Sequence, residues 1–170
     1  MSTKTVEMVL EGRWVTGDLA YAGGPRRLVD ILNHLDDGIA VLHNAEIDGA
    51  QAAQEPHRFE SMQVNLNSLL FAIPIGGDLQ QADAFERVPR VPVEATLALP
   101  GYELTGSVYL VPGADPEATH MIGTRHFVPM TGVTITCCAP GADTRERHVA
   151  VVNMARASLF AVRTRVSAIA

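Results

Sequence analysis

Aromatic side chains are scarce in this sequence: Phe, Tyr and Trp make up 5% of its 170 residues, with a single Trp at position 14. A core must therefore be filled by Val, Leu, Ile and Ala, and a 47% hydrophobic content is enough to supply one. Basic residues are also few. The 13 Lys and Arg stand against 19 Asp and Glu, for a net charge of -6 and an isoelectric point near 5.4, which argues against a broad electrostatic footprint for DNA or RNA. No apolar run approaches the roughly eighteen residues that a membrane-crossing helix needs. Met1-Ser2-Thr3-Lys4-Thr5 leads into the first strand pattern with no apolar signal region, so the expectation is a cytoplasmic protein with no membrane partner. Cysteine is confined to the adjacent pair Cys137-Cys138. Neighbours in a strand point to opposite faces, so the pair suits neither a routine disulfide nor a complete metal site and reads as buried or half-buried structural thiols.

What the sequence does have is an internal repeat. Gly12-Arg13-Trp14-Val15-Thr16-Gly17-Asp18-Leu19 returns about 89 positions later as Gly101-Tyr102-Glu103-Leu104-Thr105-Gly106-Ser107-Val108. Upstream, Val6-Glu7-Met8-Val9-Leu10 faces Val93-Glu94-Ala95-Thr96-Leu97, with extra residues before the second glycine. Downstream, Ile39-Ala40-Val41-Leu42 through Ala45-Glu46-Ile47 faces Phe127-Val128-Pro129-Met130 through Val133-Thr134-Ile135. Val64-Asn65-Leu66 and Leu70-Phe71-Ala72-Ile73 then face Val152-Asn153-Met154 and Leu159-Phe160-Ala161-Val162. Segments matching in one order point to tandem duplication, with a first repeat over residues 1–76, a polar Gly- and Pro-bounded linker over 77–92 and a second repeat over 93–170.

Within the first repeat, residues 6–10 and 14–21 alternate apolar with polar or small residues around Glu11-Gly12-Arg13 and read as an antiparallel hairpin. The period then changes. Leu28, Ile31, Leu32 and Leu35 fall on one face of a helix over 26–35, entered at Pro25 and closed by Asp36-Asp37-Gly38. Residues 39–47 read as a third strand and 58–75 as one or two more. In the second repeat the helix is replaced by Val111-Pro112-Gly113-Ala114-Asp115-Pro116 and at most one helical turn over 117–122. The fold class is all-β with one short helix per repeat at most.

This order of strand, Gly-Arg, strand with Thr-Gly, strand ending in Ala45-Glu46-Ile47 and final Leu70-Phe71-Ala72-Ile73 strand resembles the five-stranded small barrel of Sm-like proteins, an SH3-like architecture. The segment Arg27-Leu28-Val29-Asp30-Ile31-Leu32-Asn33 also resembles the Arg-Leu-x-Asp-x-Leu-Asn signature of an uncharacterised bacterial family with no assigned activity. The resemblance implies two tandem five-stranded barrels and, since Sm-like barrels join into rings through their final strands, a homo-oligomer, dimer or trimer. It departs where Sm-like proteins hold RNA. The loop between the second and third strands is replaced by the helix, and the Arg-Gly pair before the last strand is replaced by Leu66-Asn67-Ser68 in one copy and Ala155-Arg156-Ala157 in the other.

Candidate ligand contacts are accordingly few. Arg27, Asp30 and Asn33 fall at i, i+3 and i+6 on the helix and could present a guanidinium, a carboxylate and an amide together, or clamp the helix; Asn67 and Arg156 stand where the Arg-Gly pair would be. The six His are scattered without a metal-ligand spacing, and Gly23-Gly24-Pro25 lacks the pattern of a phosphate loop. Asn65 and Asn153, at matching places, read as residues holding a local bend. No catalytic residue, metal or cofactor is expected. The expectation is a non-enzymatic, oligomeric binding or scaffolding module whose partner is itself or another protein; the alternatives are an Sm-like RNA binder and a small-molecule or metal-dependent enzyme.

Overall fold

The alternation at the two glycine frames folds into matching hairpins. Strand β1 (Ser2–Leu10) returns through Glu11-Gly12 into β2 (Arg13–Tyr21), and β6 (Val91–Leu99) returns through Pro100-Gly101 into β7 (Tyr102–Leu110). Gly12 and Gly101 take the left-handed backbone that so tight a reversal needs, at φ 72° and 76°. The structure is a computed structural model that describes residues 1–24, 26–48, 56–76, 90–115, 127–141 and 143–163. The remaining elements are α1 (Leu28–Asn33), β3 (Ile39–Ile47), β4 (His57–Asn65), β5 (Leu69–Pro74), β8 (Phe127–Cys137), β9 (Thr144–Asn153), a 3-10 turn at Met154–Arg156 and β10 (Leu159–Arg163). Residues 77–89 of the expected 77–92 linker, the expected helix entry at Pro25, the helical turn over 117–122, His120, His126 and the tail beyond 163 lie outside the described residues.

All these strands belong to one antiparallel sheet, in the order β10-β6-β7-β8-β9-β5-β1-β2-β3-β4. The order repeats. The first half runs β5-β1-β2-β3-β4 and the second β10-β6-β7-β8-β9, so corresponding strands take corresponding places and the halves meet head to tail where β9 pairs with β5. Among the described strands, β4 and β10 are the edges.

The ladders correct the sequence register in three places. Leu10 faces Arg13 and Leu99 faces Tyr102, so Val6 corresponds to Ala95 rather than Val93 and no extra residues precede the second glycine. Strand β6 is already running at Val91, so a boundary at 93 falls inside it. The last strands match one residue differently: Val9 faces Phe71, whereas its counterpart Ala98 faces Leu159. Phe71 therefore corresponds to Leu159 and not to Phe160. The offset between the halves is already one residue shorter at β3 and β4, where Ile39 corresponds to Phe127 and Asn65 to Asn153, and a match made one residue out would exchange the two faces of the strand. Phe71 is fully buried while Leu159 is 47% exposed.

Two cores lie on opposite faces of the central strands. Val6, Met8, Leu69, Ala72 and Val151 join Leu28, Ile31 and Leu32 of the helix in the first core; Val9, Leu70, Phe71, Ala150 and Val152 join Leu97, Leu104 and Ile135 in the second. The helix is shorter than its 26–35 pattern. Arg27 is still extended, and the left-handed Gly38 ends the segment, although Leu35 still packs on the core. Cys137 is half-buried at the end of β8, but Cys138 is exposed, because the strand has ended and only one face of it was covered.

The recurring Thr-Gly pair has a steric cause. Opposite Gly17 and Gly106 the neighbouring strand carries a bulge, and each bulge holds a left-handed residue, Asn44 at φ 49° in the first half and Gly132 at φ 57° in the second. A Cβ on Gly106 would stand 2.8 Å from the Thr131 carbonyl oxygen, and one on Gly17 would stand 3.1 Å from the Leu42 Cβ. In the first half the side chain of Asn44 donates to Asp18 Oδ2 at 3.1 Å, which ties down a backbone conformation that asparagine tolerates and most residues do not. The expected outcome for Gly106→Ala is a loss of about 1–3 kcal/mol from overpacking, and a smaller loss for Gly17→Ala. Chemical denaturation of the two variants side by side measures both; equal stability with the parent chain would contradict the close approach.

Candidate functional site at the junction of the halves

The ladder between β5 and β9 is short, pairing Phe71 with Val152 and Ala72 with Val151. Side chains therefore do much of the joining. Asn153, 3% exposed, is the one buried polar residue among the described residues. Its Oδ1 accepts from the Ala155 N–H at 3.1 Å, while its Nδ2 donates to the carbonyl of Leu66, in the turn before β5, at 3.0 Å and to that of Leu69, the first residue of β5, at 2.9 Å. Every hydrogen-bonding atom of this amide is thus used, as burial requires. Asn33 does the reverse from the other half: its Nδ2 donates to the Phe127 carbonyl at 3.0 Å and its Oδ1 accepts from the Phe127 N–H at 2.8 Å. Two ion pairs also cross, Arg147 to Glu7 at 3.4 Å and Arg156 to Glu11 at 3.5 Å.

Beside these contacts lies a shallow cleft of about 180 Å³ lined by Trp14, Tyr102, Ile135, Cys137, Asp143 and Arg145. Trp14 comes from the first half and the other five from the second. The indole Nε1 donates to the Tyr102 hydroxyl at 2.9 Å. Phe71 completes an edge-to-face trio, 5.9 Å from Trp14 and 5.4 Å from Tyr102 between ring centroids. The Arg145 guanidinium lies 4.6 Å above the Trp14 ring, a cation–π contact on the solvent side. Burial raises the Tyr102 pKa above its ordinary 10.0, against the opposing hydrogen bond from Trp14.

The residues singled out from sequence are dispersed. Arg27 and Asp30 form a bidentate ion pair, Nε to Oδ2 at 2.8 Å and Nη2 to Oδ1 at 3.0 Å, on the exposed side of α1. Asn33, three residues on, turns instead to β8. The Asn67 N–H donates to Asn65 Oδ1 at 2.9 Å, in a turn matching the one where the Ala155 N–H donates to Asn153, and the Asn67 side chain is exposed. Arg156 stands in that second turn with its Nε buried and without a hydrogen-bond partner. The structure therefore does not gather Arg27, Asp30, Asn33, Asn67 and Arg156 into one site. Trp14, Tyr102 and Arg145 were missed as a group. Trp14 and Tyr102 each sit close to a hairpin glycine, which marks their places, but nothing in the spacing says that the two hairpins approach each other.

Among the described residues no three His, Cys, Asp or Glu side chains gather as a metal ion would require, and no helix is long and apolar enough to cross a membrane. Among the described residues Cys137 and Asp143 of the cleft make no hydrogen bond to each other, its arginine is stacked on the indole and its tyrosine accepts a hydrogen bond from it. What the arrangement does physically is bind one half of the chain to the other. In comparison with known proteins, the chain matches no family model, no curated protein and no solved structure.

Two outcomes are expected from this geometry. Asn153→Asp keeps the acceptor for Ala155 but replaces the donor to Leu66 and Leu69 with a repelling carboxylate, so denaturant unfolding should lose about 2–4 kcal/mol. An unchanged midpoint would remove Asn153 from the joint. For Tyr102, a raised pKa means that the folded chain keeps its phenol proton where the unfolded chain loses it, so the unfolded state binds fewer protons above pH 10.0 and stability falls as pH rises from there. Thermal melts should decline more steeply with alkalinity in the parent chain than in Tyr102→Phe.

Proposed function

We propose that the chain is a duplicated small-barrel scaffold, Sm-like in strand order, that works by assembling with copies of itself and presenting a protein-binding surface rather than by catalysis. The observation that carries this reading is the repeated strand order, β5-β1-β2-β3-β4 and β10-β6-β7-β8-β9, with the halves joined edge to edge. A unit that binds its twin at one edge, and bears the complementary edge at its far end, is built to be extended. Phe59 and Leu159, 45% and 47% exposed on the two edge strands, are apolar surface that a further copy would cover. The net charge of -6 favours a protein partner over a nucleic acid. A non-closing chain of such contacts would make fibres, so a closed dimer or trimer is the economical assembly.

Light scattering coupled to size exclusion, at micromolar concentration and in nuclease-treated preparations, tests this. The expected mass is two or three times that of the 18.2 kDa chain, with no nucleic acid absorbance. A monomer at every dilution would refute the reading, and an assembly that disperses on nuclease treatment would favour RNA binding instead.

A further inference from the structure

The joint inside the chain is a template for a joint between chains. Corresponding ladders place β4 where β9 stands and β10 where β5 stands. The chain therefore contains one completed β9–β5 joint and, at its two ends, the separated partners of a second. We infer that β4 of one copy pairs antiparallel with β10 of the next, in a head-to-tail joint that sets Val64 opposite Leu159 and Gln63 opposite Phe160. This rests on the self-assembly proposed above and specifies its geometry.

The register follows from the internal ladder. Ile39 faces Asn65 as Phe127 faces Asn153, which makes Val64 the counterpart of Val152 and Gln63 that of Val151. Leu159 and Phe160 are the counterparts of Phe71 and Ala72. The observed pairs Phe71–Val152 and Ala72–Val151 then give Leu159–Val64 and Phe160–Gln63.

The amide that seals the internal joint is present at the open edge. Asn65 Oδ1 accepts from the N–H two residues on, as Asn153 Oδ1 does, so the two side chains are held the same way. The Asn153 Nδ2 is spent on Leu66 and Leu69 across the joint; the Asn65 Nδ2 makes no hydrogen bond among the described residues and is exposed. Its acceptors are also in place. The receiving turn before β5 is closed by the Leu69 N–H donating to the Leu66 carbonyl at 3.3 Å, and the turn before β10 by the Ala157 N–H donating to the Met154 carbonyl at 3.4 Å. In the joint, Asn65 of one copy donates to the Met154 and Ala157 carbonyls of the next.

Charge agrees with this docking. The Trp14–Tyr102 contact of the internal joint has Glu103 and Arg13 as its counterparts in the matched hairpins, residues of opposite sign. Both are exposed, and neither makes an ion pair among the described residues. An aromatic contact inside the chain is thus answered by an ion pair between chains, which makes the second joint the salt-sensitive one.

Two single variants, each blocking one edge, test the inference. Asn65→Asp keeps the local acceptor and loses the donor to the next copy, while Leu159→Glu puts a charge on an exposed edge position that the joint would bury. Both sites are on the surface of the single chain, and circular dichroism of each variant checks that it folds. Each variant alone should associate at least about tenfold more weakly than the parent chain, the expected effect of an unpaired group in a buried joint. An equimolar mixture should form a two-chain complex and nothing larger, because the β10 of the Asn65→Asp chain and the β4 of the Leu159→Glu chain are both intact. As a second arm, Arg13→Glu should weaken assembly and Arg13→Glu with Glu103→Arg in one chain should restore it. Homodimers of Leu159→Glu would mean a two-fold β4–β4 joint and overturn the inference. Native-sized assemblies of both variants would overturn it while leaving self-assembly intact; a parent chain that is monomeric throughout would overturn both.

Discussion

The amide of Asn153 holds the molecule to one arrangement. It caps its own turn, and it binds two carbonyls of a turn that lies far away in sequence and in the other half of the chain. A buried amide tolerates no near-miss, because each unmatched group would carry its full desolvation penalty. With only two residue pairs in the β5–β9 ladder, sliding the halves by one position would cost little in backbone pairing but would strand this side chain and exchange the faces of β5 and β9. The separation of two cores by the central strands depends on that register. Val151 and Ala72 serve one core, and Val152 and Phe71 the other.

Contacts around the amide follow its lead. Asn33 anchors the start of β8 to the helix of the first half, and Arg147 meets Glu7 across the same seam. Trp14 and Tyr102 close one end of it. Each is modest alone, but each requires the same placement of the halves, which is the mutual consistency that gives a fold one preferred packing.

The sequence made the strands, the helix and the repetition legible, because these are written in local periods and in recurring glycine frames. Leu28, Ile31 and Leu32 are buried on one face as their spacing implies. The last strands align one residue away from their letters: Leu70-Phe71-Ala72-Ile73 resembles Leu159-Phe160-Ala161-Val162, whereas the ladders keep the shorter offset that already relates Ile39 to Phe127 and Asn65 to Asn153. The Thr-Gly pair was visible as a repeat, yet its reason, an approaching bulge in the next strand, exists only once the strands are paired. The junction was the least legible part. Nothing in the pattern around Trp14, Asn33 or Asn153 names a partner in the opposite half, because the pairing of β9 with β5 is a long-range choice made by shape and by the satisfaction of one buried amide. Arg27 and Asp30 were readable as neighbours on a helix; Asn33, on the same short helix, belongs to the seam instead.

The sole tryptophan of the chain is positioned as an optical gauge. Its indole is packed edge-on against Phe71 of its own half, bonded to the Tyr102 hydroxyl of the other, and covered by the Arg145 guanidinium from that same other half. Separation of the halves would strip away the hydrogen bond and the cation together and expose the ring to water, whereas loosening of the helix-side core would leave it untouched. Its emission colour, and the energy it receives from the nearby tyrosine, therefore report on the seam alone, so this protein carries a built-in fluorophore for watching its two halves part without any label attached.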